Sequence, residues 1–340
     1  MTSPVSPQSG RGEDTCSTVG VLLVFFGPLP AYAPHWVLSC GSNPTVSFHV
    51  VADHPPPVSL PANVHWHLES LAEFNVRATE TLGFEVEVTR AYKLCDFKPA
   101  YGVVYEDILG DYDFWAYCDL DLVWGDLRAF LTDDMLGKTD VYSVAGKGYL
   151  SGAFTLFRNR PDVTGLFMRA PGYVETLQSA THFSFCEVCR RWGGAEARPV
   201  EDIHREGLRV SLTDVAREAA DKGDLRLYTP YVLREPSLLY DPTFLIERRG
   251  GLWQTRSREK AILDKEMIMC HFVHNKVEPF FAFPPWTEYP QYYSISWTGL
   301  DRLPPGRHVQ RLVLQATRAT RSGPRAAAWL TRRVRARLAG

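Results

Sequence analysis

The chain lacks the net charge and the phosphate loops that would send it to several large function classes. A formal charge of only −2 excludes a wholesale binder of nucleic-acid backbones. The opening residues, MTSPVSPQSGRGEDTCSTVG, have no basic start followed by an apolar core, so no secretory leader is expected. Residues 1–18 are read instead as a polar, disordered tail. VGVLLVFFG (Val19–Gly27) is far too short to cross a bilayer. Without a P-loop or a G-x-G-x-x-G, kinase-like and dinucleotide-dependent chemistries have no motif to rest on. Neither an internal repeat nor a low-complexity linker divides the chain. Seven cysteines, an odd count with no export signal, point to free thiols in a reducing cytoplasm. Cys186 and Cys189 form a C-x-x-C, but no second pair stands at zinc-finger spacing.

What is present is an ordinary globular balance, 45% hydrophobic and 22% charged over 340 residues, enough for one large α/β domain or two smaller ones. Aromatics reach 12% with nine tryptophans, which suits core packing or a site for flat or sugar-like ligands. Charge is uneven: from Arg307 onward there are nine arginines and no acid.

Pattern reading predicts a buried parallel strand at Val19–Phe26 and a short helix over Tyr32–Cys40. A second strand, Thr45–Asp53, is stopped by HPPP. A helix over Leu68–Leu82, a strand over Phe84–Thr89 and a helix over Lys98–Leu109 follow, with Pro99 near the start of the last. DYDFWAYCDLDLVWGD supplies the fourth strand. Leu150–Asn159 and Met267–Lys276 read as later strands, the second leading into a polar loop. This alternation predicts a mostly parallel, doubly wound α/β sheet with helices on both faces. One domain is expected over residues 19–300, followed by a basic helical tail over 301–340.

Asp119 and Asp121 interrupt the fourth strand, where burying a carboxylate is costly unless a cation compensates. At the carboxyl end of an α/β strand, two hard oxygen ligands suit Mg²⁺ or Mn²⁺ with room for a nucleotide diphosphate. The competing reading is two acids that cap the next segment or pair with arginines.

Ala91–Leu127 (AYKLCDFKPAYGVVYEDILGDYDFWAYCDLDLVWGDL), SGAFTLFRN and the HF…K segment from His271 occur in an order that resembles a bacterial, largely uncharacterised family of glycosyltransferase-like proteins. They are similar, more distantly, to retaining GT-A-fold enzymes of the glycogenin and capsular-polysaccharide types. His274 stands where that family has Gly, and Val277 where Pro is usual. The resemblance implies a GT-A fold and a metal-dependent glycosyltransferase of bacterial polysaccharide biosynthesis, acting with retention at the anomeric carbon. It implies Asp119, Asp121 and His271 as ligands of Mn²⁺ or Mg²⁺, a set that favours Mn²⁺ because imidazole is the softer donor. Lys276 would hold the diphosphate and neutralise the leaving group.

Lys93, Asp96 and Lys98 would belong to the sugar- and phosphate-contacting segment, or else to a surface ion-pair cluster. Phe25, Phe26 and Gly27 would receive the base, with Asp53 as a base or ribose contact. Ser151 and Gly152 would leave room for the donor sugar. Glu187 would orient the acceptor or face the anomeric carbon, or else be an exposed helix acid. A UDP-sugar donor and a glycan or lipid-linked acceptor follow, with no nucleic-acid partner.

Trp329, Leu330, Val334 and Leu338 fall at helical spacing among arginines, so the tail is read either as a helix on the inner face of a membrane or as one docked on the protein's own surface. Two other functions remain in view: a non-catalytic sugar-nucleotide or glycan binder, and a metal-dependent nucleotidyltransferase or phosphohydrolase.

Overall fold

The structure, a computed structural model, describes residues 16–189, 198–235, 243–248, 251–256, 265–278, 281–290, 293–296 and 299–302. The basic tail beyond Arg302, including Trp329, Leu330, Val334 and Leu338, lies outside the described residues.

Strand β1 (Val19–Phe25) is the apolar run foreseen, and it lies between β2 (Ser47–Ala52) and β4 (Phe114–Cys118), parallel to both. Its alternate side chains feed two cores. Val21 and Leu23 pack with Trp36 and Val37 of helix α1 (Ala33–Cys40), together with Phe48 and Phe114. Leu22 and Val24 pack on the other face with Phe74 and Ala78 of helix α2 (Leu71–Leu82), Tyr101 and Trp115. This period-two division is why β1 reads as continuously hydrophobic.

β3 (Val64–Leu68) forms one edge. The sheet continues past β4 through β7 (Phe154–Arg158) and β6 (Val141–Ser143) to β8 (Leu227–Tyr228). It is mixed rather than simply parallel, because β7 runs antiparallel to both β4 and β6. Only residues 144–153 join β6 to β7, too few for the crossover that a parallel pair requires.

Other expectations are corrected locally. Leu68 ends strand β3, and the helix starts at Leu71 behind a Ser70–Glu73 capping box. Residues 84–89 are not a strand, although Val86 and Val88 are buried. Side chains of α2 take the place of a ladder there: Val86 N–H donates to Thr79 Oγ1, while Val88 N–H donates to Asn75 Oδ1 and Asn75 Nδ2 donates back to the Val88 carbonyl. Residues 91–100 form a 3₁₀ helix, followed by short α-turns over Tyr101–Val104 and Glu106–Leu109, in place of one helix from Lys98. Residues 16–18 of the expected tail are held: Ser17 N–H donates to Asp133, and Thr18 N–H to Asp113.

The quoted fourth strand is two strands. β4 stops at Cys118, and β5 (Leu122–Trp124) leaves the main sheet for a three-stranded one with β9 (Leu233–Arg234) and β13 (Met269–His271). β13 is antiparallel to β5 and parallel to β9. Gly125 permits the approach that follows: an added Cβ would lie 2.5 Å from the Met267 carbonyl. A five-stranded antiparallel sheet contains residues 243–248, 251–256, 265–267, 294–296 and 299–301. No helix among the described residues is long and apolar enough to cross a membrane.

Candidate functional site

Asp119, Leu120 and Asp121 occupy the gap between β4 and β5, at the carboxyl end of β4. The backbone there is fixed on both sides: Asp119 N–H donates to the Ala153 carbonyl at 3.1 Å, and Phe272 N–H donates to the Asp121 carbonyl at 2.7 Å. Opposite Leu122 on the partner strand stands His271, so β13 delivers an imidazole to both acids. Its Nε2 lies 3.4 Å from Asp121 Oδ2 and 3.7 Å from Asp119 Oδ2. Ligand atoms of the three side chains lie within 4.8 Å of one another.

The compensating charge sought by the sequence reading comes from three groups. Lys98 donates to Asp119 and, at 2.7 Å, to the Gly152 carbonyl. Lys276 donates to Asp121 at 2.7 Å. His271 bridges both acids, with Glu235 Oε1 3.4 Å from its Nδ1. Burial pushes Asp121 up, but His271 and Lys276 outweigh it and hold the carboxyl well below the usual range. Burial pushes His271 down, yet the surrounding acids, Asp121 first, raise it to about 10. Burial also lowers Lys98, and Asp119 reverses this to a value well above normal.

The donor set could hold a divalent metal ion: two carboxylates and an imidazole converge, and the His271 proton and the two ammonium contacts occupy the positions that an ion would take. Glu235, on the far nitrogen of His271, is placed as the outer carboxylate that orients a ligating imidazole.

Beside these acids lies a cavity of about 270 Å³. Its apolar lining includes Phe25, Phe26, Leu94 and Tyr101, and Lys98, Asp119, Asp121 and Lys276 supply the charge. Tyr32 and Tyr92 also line it. They were missed by sequence reasoning, as was Glu235; the only advance signal for the tyrosines was the high aromatic content.

The remaining candidates divide into those near the acids and those occupied elsewhere. Glu187 is in the first group: its Oε1 accepts the Gly152 N–H at 2.7 Å, and burial raises its carboxyl. A Cβ on Gly152 would stand 3.0 Å from that oxygen. Phe26 lines the cavity and packs on Phe74 with ring centroids 6.1 Å apart. Asp53 receives the Gly27 N–H on both oxygens at 2.9 and 3.1 Å, holding the glycine at φ +104°. Ser151 is turned to its own loop: its hydroxyl accepts from Ala153 N–H, and its carbonyl accepts from Thr155.

Lys93 and Asp96 are not brought to the cavity. They form a buried pair at 2.8 Å, with Lys93 also donating to the Thr176 and Thr181 carbonyls and Asp96 accepting from Phe183 and Phe185 N–H. Residues at i and i+3 eclipse on a 3₁₀ helix, which sets this pair side by side, while Lys98 leaves in another direction. Cys186 is buried, and Cys189 Sγ contacts the Val210 carbonyl at 3.8 Å.

Fold and site together define an α/β protein with an Asp–Asp–His cluster at the carboxyl end of a central strand. The chain belongs to a family of unknown function, DUF6625, which matches residues 21–292. Among curated proteins, none matches the chain.

Proposed function

We propose that this chain is a metal-dependent glycosyltransferase of the GT-A type, taking its sugar from a nucleotide diphosphate, a UDP-sugar in the first instance. The observation that carries the reading is the convergence of Asp119, Asp121 and His271 at the carboxyl end of β4, beside a cavity lined by apolar groups and two lysines. Carboxyl ends of strands are where α/β sheets receive ligands.

Asp119, Asp121 and His271 would hold Mn²⁺ or Mg²⁺, which when bound supplies Lewis-acid stabilisation of a leaving diphosphate. The chain's own groups do the rest. Lys276, the more exposed of the two lysines, turns from Asp121 to the diphosphate and stabilises the charge that develops there. Lys98 stays on Asp119 and the Gly152 carbonyl, keeping the carboxylate ionised and oriented. Phe25 and Phe26 offer the base an apolar wall, with Tyr32 and Tyr92 nearby. Glu187 faces Gly152, where the sugar and acceptor would meet. A glycan or a lipid-linked glycan is the acceptor class proposed, and retention is the proposed stereochemical outcome.

A second reading has its own support. Two ammonium groups and an imidazolium match Asp119, Asp121 and Glu235 without a metal, which favours a sugar-nucleotide binder with no turnover.

Incubation with Mn²⁺ and a panel of UDP-, GDP- and dTDP-sugars separates the possibilities. Release of nucleoside diphosphate that is lost in Asp121→Asn supports the transferase. Binding without release supports the binder. Monophosphate or pyrophosphate release identifies a phosphohydrolase or nucleotidyltransferase and overturns the proposal.

A further inference from the structure

A group of three histidines stands on the main sheet, apart from the acids. His65 and His67 alternate along edge strand β3 and so share one face. His49 on β2 is the direct neighbour of His65 in the parallel register. This face is the one that carries Leu22 and Val51 further along the sheet. His49 Nδ1 and His67 Nε2 are 3.1 Å apart. The His49 ring is stacked on that of His65, with centroids 4.9 Å apart and planes at 24°.

We propose that His49, His65 and His67 form a binding site for a late first-row transition-metal ion, Zn²⁺ foremost, that ties edge strand β3 to β2. Two imidazole nitrogens on one tetrahedral zinc, each bonded at about 2.0–2.1 Å, are separated by roughly 3.3 Å. The 3.1 Å between His49 and His67 is already close to that edge. His65 is exposed at the sheet margin, and the proposed site requires its side chain to rotate so that a third nitrogen reaches the same point. His49 has the outer partner expected of a ligand: its Nε2 lies 2.8 Å from the Tyr112 hydroxyl. In the tautomer that donates Nε2–H to Tyr112, Nδ1 presents its lone pair to the site. Tyr112 is itself fixed by packing over Gly20, where a Cβ would come within 2.6 Å of its ring. An all-imidazole donor set selects zinc, copper, nickel or cobalt over Mg²⁺ and Ca²⁺, so its chemistry differs from that of the acid cluster.

The test uses the untagged full chain with Co²⁺ as a spectroscopic probe and Zn²⁺ as competitor. The expected result is strong visible absorption from four-coordinate cobalt, displaced by zinc. It should persist in Asp121→Asn and be lost in His67→Asn. Zinc affinity should fall about tenfold or more in the exposed-site variant His65→Asn, which stays readable if His67→Asn does not fold. Absence of such bands in the wild type, or bands and zinc affinity unchanged in His65→Asn and His67→Asn, would overturn the assignment.

Discussion

Lys276 Nζ donates to Asp121 Oδ2 at 2.7 Å, joining residues 155 apart in the chain. The contact makes the late polar loop part of the acid cluster. Under the proposed function it also sets a competition: an ion on Asp121 would compete with the ammonium, which would then be free to meet an incoming diphosphate. Asp119→Asn and Asp121→Asn are each expected to lower Mn²⁺ affinity by at least about tenfold while leaving the fold intact. Isothermal titration with Mn²⁺ and circular dichroism on the same samples check this.

Lys276→Ala should keep Mn²⁺ binding and lose donor cleavage, by about 10²-fold in kcat if the lysine stabilises the leaving group. A variant that cleaves the donor at the wild-type rate would remove Lys276 from the proposed mechanism.

Lys93 and Asp96 make the opposite prediction. Both are buried and paired, so Lys93→Met or Asp96→Asn leaves a charged group without its partner and should cost about 3–5 kcal/mol of stability. Urea unfolding reads the loss. Mn²⁺ affinity of the folded fraction should not change.

The contrast between these lysines shows how far the sequence could be read. The order of β1, α1, β2 and β4 is visible because apolar runs and turn residues mark each element. The Asp119–Asp121 spacing, the small Gly152 and the His271–Lys276 segment flag the cluster because carboxylates and lysine are out of place among buried aromatics. Lys93 and Asp96 mislead where Lys98 does not, since the 3₁₀ conformation that separates them leaves no periodic trace in ten residues. β3 hides because VHWHL mixes three apolar residues with two histidines. Residues 84–89 alternate in burial as a strand would, but Asn75 and Thr79 of the preceding helix satisfy their backbone. The antiparallel return of β7 depends on a connection length and not on the composition of β7.

Acid should weaken the fold through His35. Its ring packs on Trp286 and Phe283, with centroids 4.7 and 5.7 Å away, and burial pushes its pKa down to about 4. The unfolded chain, with a histidine near 6.5, binds the proton first, so stability falls as pH drops below that value. About 2 kcal/mol should be lost from this group between pH 7 and pH 5. Urea midpoints at the two pH values, compared with those of His35→Phe, measure it: the variant should show a shallower decline.

The break after Cys118 assigns the two aspartates to different neighbours. Asp119 follows the last residue of β4, in the large sheet, and Asp121 precedes the first residue of β5, in the small one. A fragment ending before residue 269 therefore has both acids and Lys98 but neither His271 nor Lys276. During synthesis, the central strand and its aspartates emerge more than a hundred residues ahead of the histidine and lysine that complete the cluster.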